Sequence, residues 1–421
     1  MDPASNGFVV VSVRHTSGSG PVVAAADILT NLKFVLTDPD KKFAKFKLPG
    51  RPVAFVGLSE GAHGAIIAAD RVMKGELGNL LSSVSALVAL APTPTAKFSN
   101  FANSLLILQG THDGDTPAGG QSMLVYEACM VPEKYFLWVH GASHAGFLEG
   151  SFVLGDSQLE NVSESDKAKG INIQTQRFVT QNYVTMFLLG KLANIPTFES
   201  VFVGDRDVAW TPPNETIKND ISSKRFRALP LYDKMTLIPL DLELKADAMF
   251  QGLTLIDKDH PLKVKALRDL LFTLRNHGVQ GCVVEWIRKN HPIPKLTAIC
   301  NKDVMKMSPP VIEFQAIMTA GAGLNSSNNK AATISVRLRS AGKDSAPVSA
   351  IIERSIVLNA EQKAFDLNVS RSILSTIRIP VSKFGVLPPG FLASADLVLD
   401  FSTPETAIGQ VAIAHFRASF A

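Results

Sequence analysis

The stretch Val53-Ala54-Phe55-Val56-Gly57-Leu58-Ser59-Glu60-Gly61-Ala62-His63-Gly64 decides how the first half of the chain is read. Residues 53–56 are a short apolar run of strand type, and residues 62–73 carry apolar side chains at helical spacing. The segment between them is a strand-to-helix turn with the pattern Gly-x-Ser-x-Gly. A turn this sharp holds its serine in a strained backbone conformation. Both glycines are expected to be sterically required, because a side chain at either would meet the neighbouring strand or helix. The helix start favours negative charge, and the backbone N–H of Glu60 is the expected donor to an oxyanion. The bland alternative is a glycine-rich turn without chemistry, so the pentapeptide needs support from elsewhere in the chain.

That support comes from the loops that leave other strands. Residues 8–13, 84–90, 105–108 and 135–139 read as further buried strands, with helices over 22–36, 62–73 and 174–192. Such alternation predicts an α/β fold, a doubly wound and mainly parallel sheet, whose ligands sit at the carboxyl ends of strands. After 105–108 comes Gly110-Thr111-His112-Asp113-Gly114-Asp115-Thr116-Pro117. A carboxylate at this strand end could accept a hydrogen bond from an imidazole and fix its tautomer. Asp113 is the first choice and Asp115 the second, with an ordinary Asp-Gly turn as the alternative. After 135–139 comes His140-Gly141-Ala142-Ser143-His144-Ala145-Gly146-Phe147, in which His144 is the expected general base. His63, His112 and His140 are read as bracing residues.

The order Ser59, Asp113, His144, each after a successive strand, resembles that of the α/β-hydrolases. Residues 7–192 look like the dienelactone hydrolase and cutinase-like polyester hydrolase branch. The resemblance is carried by Phe8-Val9-Val10-Val11-Ser12-Val13, by Leu106-Ile107-Leu108-Gln109-Gly110-Thr111-His112-Asp113-Gly114-Asp115, and by His140-Gly141-Ala142-Ser143-His144. It implies a serine esterase working through an acyl-enzyme, with Ser59, Asp113 and His144 as nucleophile, acid and base. It implies a small-molecule or polymeric ester as substrate and neither metal nor organic cofactor. Members of that branch carry more strands before the one at 8–13, with a His-Gly loop that donates the second oxyanion hydrogen bond. The chain thus resembles an N-terminally shortened hydrolase, and the loop over 15–20 is left to supply that donor. An inactive relative serving binding or assembly is the alternative. The side chain of Glu60 has no evident role.

The remainder is bounded by composition. A chain of 421 residues, 46% hydrophobic and 19% charged, is long enough for two domains with separate cores. A net charge of +4, with Lys and Arg scattered, argues against nucleic acid as a partner. The densest basic run, Lys41, Lys42, Lys45, Lys47 and Arg51, reads as a solvated face. Cys129, Cys282 and Cys300 have no ligand or redox spacing and read as buried thiols. No apolar run is long enough to span a membrane and no signal peptide is evident, so the chain reads as soluble with its compartment unknown. The expected domains are 1–205 (catalytic), 206–310 (a mixed connecting region with a strand over 235–244 and helices over 262–276 and 279–289) and 311–421 (a β-sandwich). Strands are expected over 333–338, 350–357, 375–381, 395–401 and 410–416. The segments 377–384 and 397–401 resemble the closing strands of jelly-roll carbohydrate-binding modules. With no Trp or Tyr after Trp286, contact with protein is as fair an expectation as contact with carbohydrate.

Overall fold

The computed structural model describes residues 3–13, 20–38, 41–46, 48, 50–93, 101–113, 115–116, 120–147, 170–203, 208–222, 228–234, 238–239, 243–246, 253–256, 281–287, 295–318, 332–352, 356–357, 371–372, 375–400 and 408–420. The chain divides into two compact units. One holds Met1–Lys234 with Leu358–Val369, and the other holds Met235–Val357 with Ser370–Ala421.

The first unit is built on one sheet of five strands, β1 (Ala54–Leu58), β2 (Ala86–Leu90), β3 (Ser104–Gly110), β4 (Glu133–Val139) and β5 (Ala228–Lys234), in that spatial order. Strands β1 to β4 pair in parallel, and β5 runs antiparallel along β4. All residues of β2 and β3 are buried, which is why they read as unbroken apolar runs without alternation. Helices α1 (Pro21–Thr37), α2 (Glu60–Met73), α3 (Gly120–Ala128), α4 (Ile173–Leu192), α5 (Pro196–Phe202) and α6 (Glu215–Ser222) complete the unit. Helix α1 begins with Pro21, whose fixed φ suits a first helical residue and whose missing N–H costs nothing there. It packs so closely on α2 that a Cβ at Gly64 would lie 2.7 Å from that of Ala24. The rings of Tyr135, Phe187 and Phe202 meet edge to face and bind α4 and α5 to β4.

Two expectations for this unit are corrected. Residues 8–13 form no strand, and Val9, Val10 and Val11 are 43%, 60% and 47% exposed. Their β-branched run has the propensity for a strand but no ladder to join, since a strand is stable only beside a partner. Strand β1 is correspondingly the edge of the sheet, and Val56 in its middle is half-exposed. The other edge lies past the boundary expected near residue 205, because residues 228–234 supply β5. Pro230 is tolerated in β5 because one side of an edge strand needs no ladder donor.

The second unit is antiparallel throughout its described pairs. Its strands are β6 (Ile238–Pro239), β7 (Glu243–Ala246), β8 (Leu253–Ile256), β9 (Gly281–Ile287), β10 (Lys295–Ile299), β11 (Val311–Met318), β12 (Ala332–Ser340), β13 (Lys343–Asp344), β14 (Val348–Ile352), β15 (Ile356–Val357), β16 (Arg371–Ser372), β17 (Ser375–Pro380), β18 (Asp396–Asp400) and β19 (Ile408–Ser419). One sheet runs β13-β12-β18-β10-β7 with β14 on β12, and a second runs β17-β11-β19-β9-β8 with β6 on β19. Alternate residues of both sheets, among them Ile312, Phe314, Ile334, Val336, Leu397, Leu399 and Ile413, share one apolar core. The chain is thus α/β in its first unit and mostly β in its second. The helix expected over 279–289 is instead strand β9, whose Cys282-Val283-Val284-Glu285-Trp286-Ile287 is β-branched and aromatic and pairs in register with β19. Of the strand expected over 235–244, residues 238–239 lie in β6 and 243–244 in β7, and 235–237 and 240–242 lie outside the described residues. The helix expected over 262–276 lies outside the described residues.

On the face of β11 that points away from this core, Glu313 is fully buried between two arginines. Arg417 on β19 approaches to 2.9 Å and Arg378 on β17 to 3.7 Å, and both stand opposite Glu313 in the strand registers. Removing the anion would leave two buried guanidinium groups facing each other. Glu313→Ala is therefore expected to cost about 3–5 kcal/mol in urea unfolding followed by circular dichroism. An unchanged transition would mean that the cluster is not held as described.

Candidate active site

Ser59 lies between β1 and α2 with φ 53° and ψ −121°, a conformation that a side chain seldom adopts and that costs about 1–3 kcal/mol. Its N–H donates to Leu90 O at 2.9 Å, carrying the β1–β2 ladder one residue further, and its carbonyl accepts from Ala62 N–H at 3.1 Å as the helix begins. Between these bonds the chain reverses within one residue. Gly57 is required by that reversal, since a Cβ there would lie 2.6 Å from Ala62 Cα. Gly61 is not, because a Cβ there meets nothing within 4 Å, which corrects the expectation that both glycines are sterically needed. Glu60 is the first residue of α2, so its N–H belongs to a turn whose donors find no acceptor within the helix. Of the loop over 15–20, expected to offer a second donor, residues 15–19 lie outside the described residues.

The loops that carry Asp113 and His144 are knitted together. Thr111 N–H donates to Val139 O at 3.1 Å, and His112 N–H donates to Ala142 O at 2.9 Å. Gly141 N–H donates to Thr111 Oγ1 at 2.9 Å. The loop after β4 passes directly over the end of β3, where a Cβ on Gly110 would lie 2.7 Å from the Ala142 carbonyl carbon. Three strand spacings of about 4.8 Å separate β4 from β1, and the crossing carries the loop over the first of them.

Asp113 is 1% exposed. Its Oδ1 accepts from the backbone N–H groups of Asp115 and Thr116, at 3.0 and 2.8 Å. Its Oδ2 accepts from His144 Nδ1 and from Gln109 Nε2, both at 2.9 Å. Asp115, the second choice from the sequence, is exposed. His144 is itself buried and held from behind by Gln176 on α4. The Gln176 amide accepts from Ser143 N–H at 2.9 Å and donates to Ser143 O at 2.7 Å, bracketing the residue before the imidazole. A Cβ on Gly146 would run into that amide, 2.6 Å from its Nε2.

His112 Nδ1 lies 3.0 Å from Thr111 Oγ1, and its ring is 6.3 Å from that of His140. His63 is one turn into α2, where burial lowers its pKa below the usual 6.5 and Glu60 partly offsets the effect. Burial pushes the thiols of Cys129 and Cys300 up, to about 12 and about 11. Among the described residues no group of three or more His, Cys, Asp or Glu could hold a metal ion. No described helix is long and apolar enough to cross a membrane.

Gln109 and Gln176 were not singled out from the sequence. Gln109 does carry a signal, being the one polar side chain in the buried interior of β3 and directly before a turn. Gln176 carries none, because its spacing from Ser143 follows only from the fold.

No protein-family model and no curated protein matches this chain. Among solved structures, a carbohydrate-binding module specific for non-crystalline cellulose, CBM28, is 12% identical, with a TM-score of 0.25, over 44% of this chain and 93% of its own. The N-terminal cellulose-binding domain of a Cellulomonas fimi β-1,4-glucanase is 8% identical, with a TM-score of 0.18, over 41% of this chain and 91% of its own.

The two glycines of the elbow are expected to behave differently. Gly57→Ala should lose about 1–3 kcal/mol by overpacking against the start of α2. Gly61→Ala should leave stability unchanged or raise it by up to about 1 kcal/mol, as alanine favours a helix. Thermal unfolding of the two variants beside the parent protein checks both, and equal losses would contradict the geometry.

Proposed function

We propose that the chain is a serine hydrolase of the α/β-hydrolase type that cleaves carboxylic esters through an acyl-enzyme. The observation that carries the reading is the coexistence, at the carboxyl ends of parallel strands in one sheet, of a serine at positive φ and a buried His144–Asp113 hydrogen bond. With Nδ1 of His144 bonded to Asp113, Nε2 is the nitrogen that serves as base. His144 Nε2 takes the proton of Ser59 as its oxygen attacks the acyl carbon, and returns it to the departing alcohol. Water then attacks the acyl-serine with the same nitrogen as base. The carboxylate of Asp113 holds the imidazole and stabilises the imidazolium formed in each step. Glu60 N–H, at the positive end of α2, faces the charge that develops on the carbonyl oxygen. No cofactor enters this scheme. The ester is a small molecule or a polymer, and the second unit contacts carbohydrate or protein.

One observation favours a second reading. Among the described residues the sheet ends at β1, so no described strand flanks the serine on its outer side to provide a second oxyanion donor. Loss of one such donor costs about 3 kcal/mol of transition-state stabilisation, enough to leave a binding protein with a hydrolase frame.

Fluorophosphonate labelling with mass-spectrometric mapping, beside hydrolysis of p-nitrophenyl acetate and butyrate, separates the two. The esterase reading expects labelling at Ser59 and turnover abolished by Ser59→Ala; a folded protein with neither supports the binding role. Asp113→Asn is expected to lower kcat about 10⁴-fold by favouring the wrong imidazole tautomer. Turnover equal to the parent would remove Asp113 from the scheme.

A further inference from the structure

We propose that Gln109 is a positioning residue for the Asp113–His144 pair, fixing Asp113 Oδ2 in line with the imidazole. The proposal rests on the acyl-transfer reading of the same site.

Gln109 shares its strand face with Leu105 and Ile107, in a strand with no exposed residue. A primary amide in such a place is unfavourable unless its donors and acceptor are satisfied. Here its hydrogen bonds are shared with the acid. Nε2 donates to Asp113 Oδ2 at 2.9 Å, with Gly110 O and Thr116 Oγ1 each at 3.2 Å, while Oε1 accepts from the hydroxyl of Ser122 on α3. Reversing the amide would set Oε1 against Asp113 Oδ2, two acceptors facing each other. Ser122 in turn is 3.3 Å from Pro92 O, in the turn after β2.

The two oxygens of Asp113 are therefore held by different means. Backbone N–H groups of its own turn hold Oδ1, and almost any side chains at 115 and 116 would preserve them. Oδ2 has two described donors, His144 Nδ1 and Gln109 Nε2. The carboxyl torsion of an aspartate is a broad, soft one, so a hydrogen bond on Oδ2 adds a restraint on that torsion to the ones that Oδ1 receives from its own turn. Gln109 supplies that restraint.

The test uses the full chain with Gln109→Leu, of similar size and without donors, and with Ser122→Ala, which leaves the amide in place but releases its far end. Two signals are read: the downfield proton resonance of His144 Nδ1–H, and the rate of fluorophosphonate labelling at Ser59. In Gln109→Leu the resonance should move upfield as Oδ2 leaves its line with the imidazole. The labelling rate should fall about 10- to 100-fold, the worth of one hydrogen bond to a charged group. Ser122→Ala should move both signals in the same direction by less, and it decides the matter should the leucine variant not fold. A folded variant with the resonance and the labelling rate unchanged would overturn the proposal. A parent protein that is not labelled at all would overturn the acyl-transfer reading, and the resonance would still report whether Gln109 governs the pair.

Discussion

The passage of Ala142 over Gly110 is the constraint on which the site depends. Parallel strands release their loops at one end of a sheet, but they do so side by side, and the residues they carry need not converge. In the first unit β3 and β4 continue to exchange hydrogen bonds past their ends, through Thr111, His112 and Gly141. That continued pairing draws the Ala142 peptide against Cα of residue 110, where only hydrogen fits. Asp113 and His144 can meet in hydrogen-bonding distance because their loops are already one joined structure. Ser59 is set differently, by local backbone strain at the end of β1, so the three residues owe their placement to two separate devices.

Much of this could be read from residue order. Helices α1, α2 and α4 follow from apolar spacing, and the serine turn follows from a short apolar run meeting a helix across Gly57 and Gly61. Asp113 was preferred to Asp115 by its distance from Gly110, and the structure places Asp113 in the buried position beside His144 while Asp115 is exposed. What could not be read is whatever depends on a distant partner. The valines at 9–11 have the composition of a strand, yet strand formation is decided by a neighbour, and none of the described strands lies beside them. Residues 281–287 failed in the opposite sense, since only the long-range match with β19 reveals them as a strand. Gln176 belongs to the same class, because its two bonds to Ser143 join residues 33 apart in sequence.

Besides the buried polar side chains along α4 (Thr175, Gln176, Thr180, Asn182 and Thr185), one set in the first unit lies about the carboxyl ends of the parallel strands. Gln109, Thr111, His112, Asp113, Thr116, Ser122 and His144 are all buried there, against a sheet interior that is otherwise aliphatic and aromatic. Such groups are costly to bury singly and tolerable only as a connected set. The set is connected by amides and hydroxyls, which neither gain nor lose charge, so the arrangement is rigid without adding fixed charge beside the acid and base. At the opposite end of β4 the chemistry differs. Lys191 makes an ion pair with Glu133 at 2.5 Å and lies 3.1 Å from the Tyr135 hydroxyl, whose pKa is raised by burial and by Glu133 and Glu199.

The buried anion of the second unit has a consequence for how its strands find one another. Apolar alternation alone would let β11 slide by two residues along its neighbours and still present aliphatic side chains to the core. Glu313 removes that freedom, because such a slide would carry it away from the arginines that stand opposite it on both sides. A slide by one residue would be worse, turning Phe314 out of the core and the carboxylate in among Phe416 and its aliphatic neighbours. The three charges thus work as a key cut for one alignment of three strands, and the cost of desolvating them falls most heavily on the misaligned sheets.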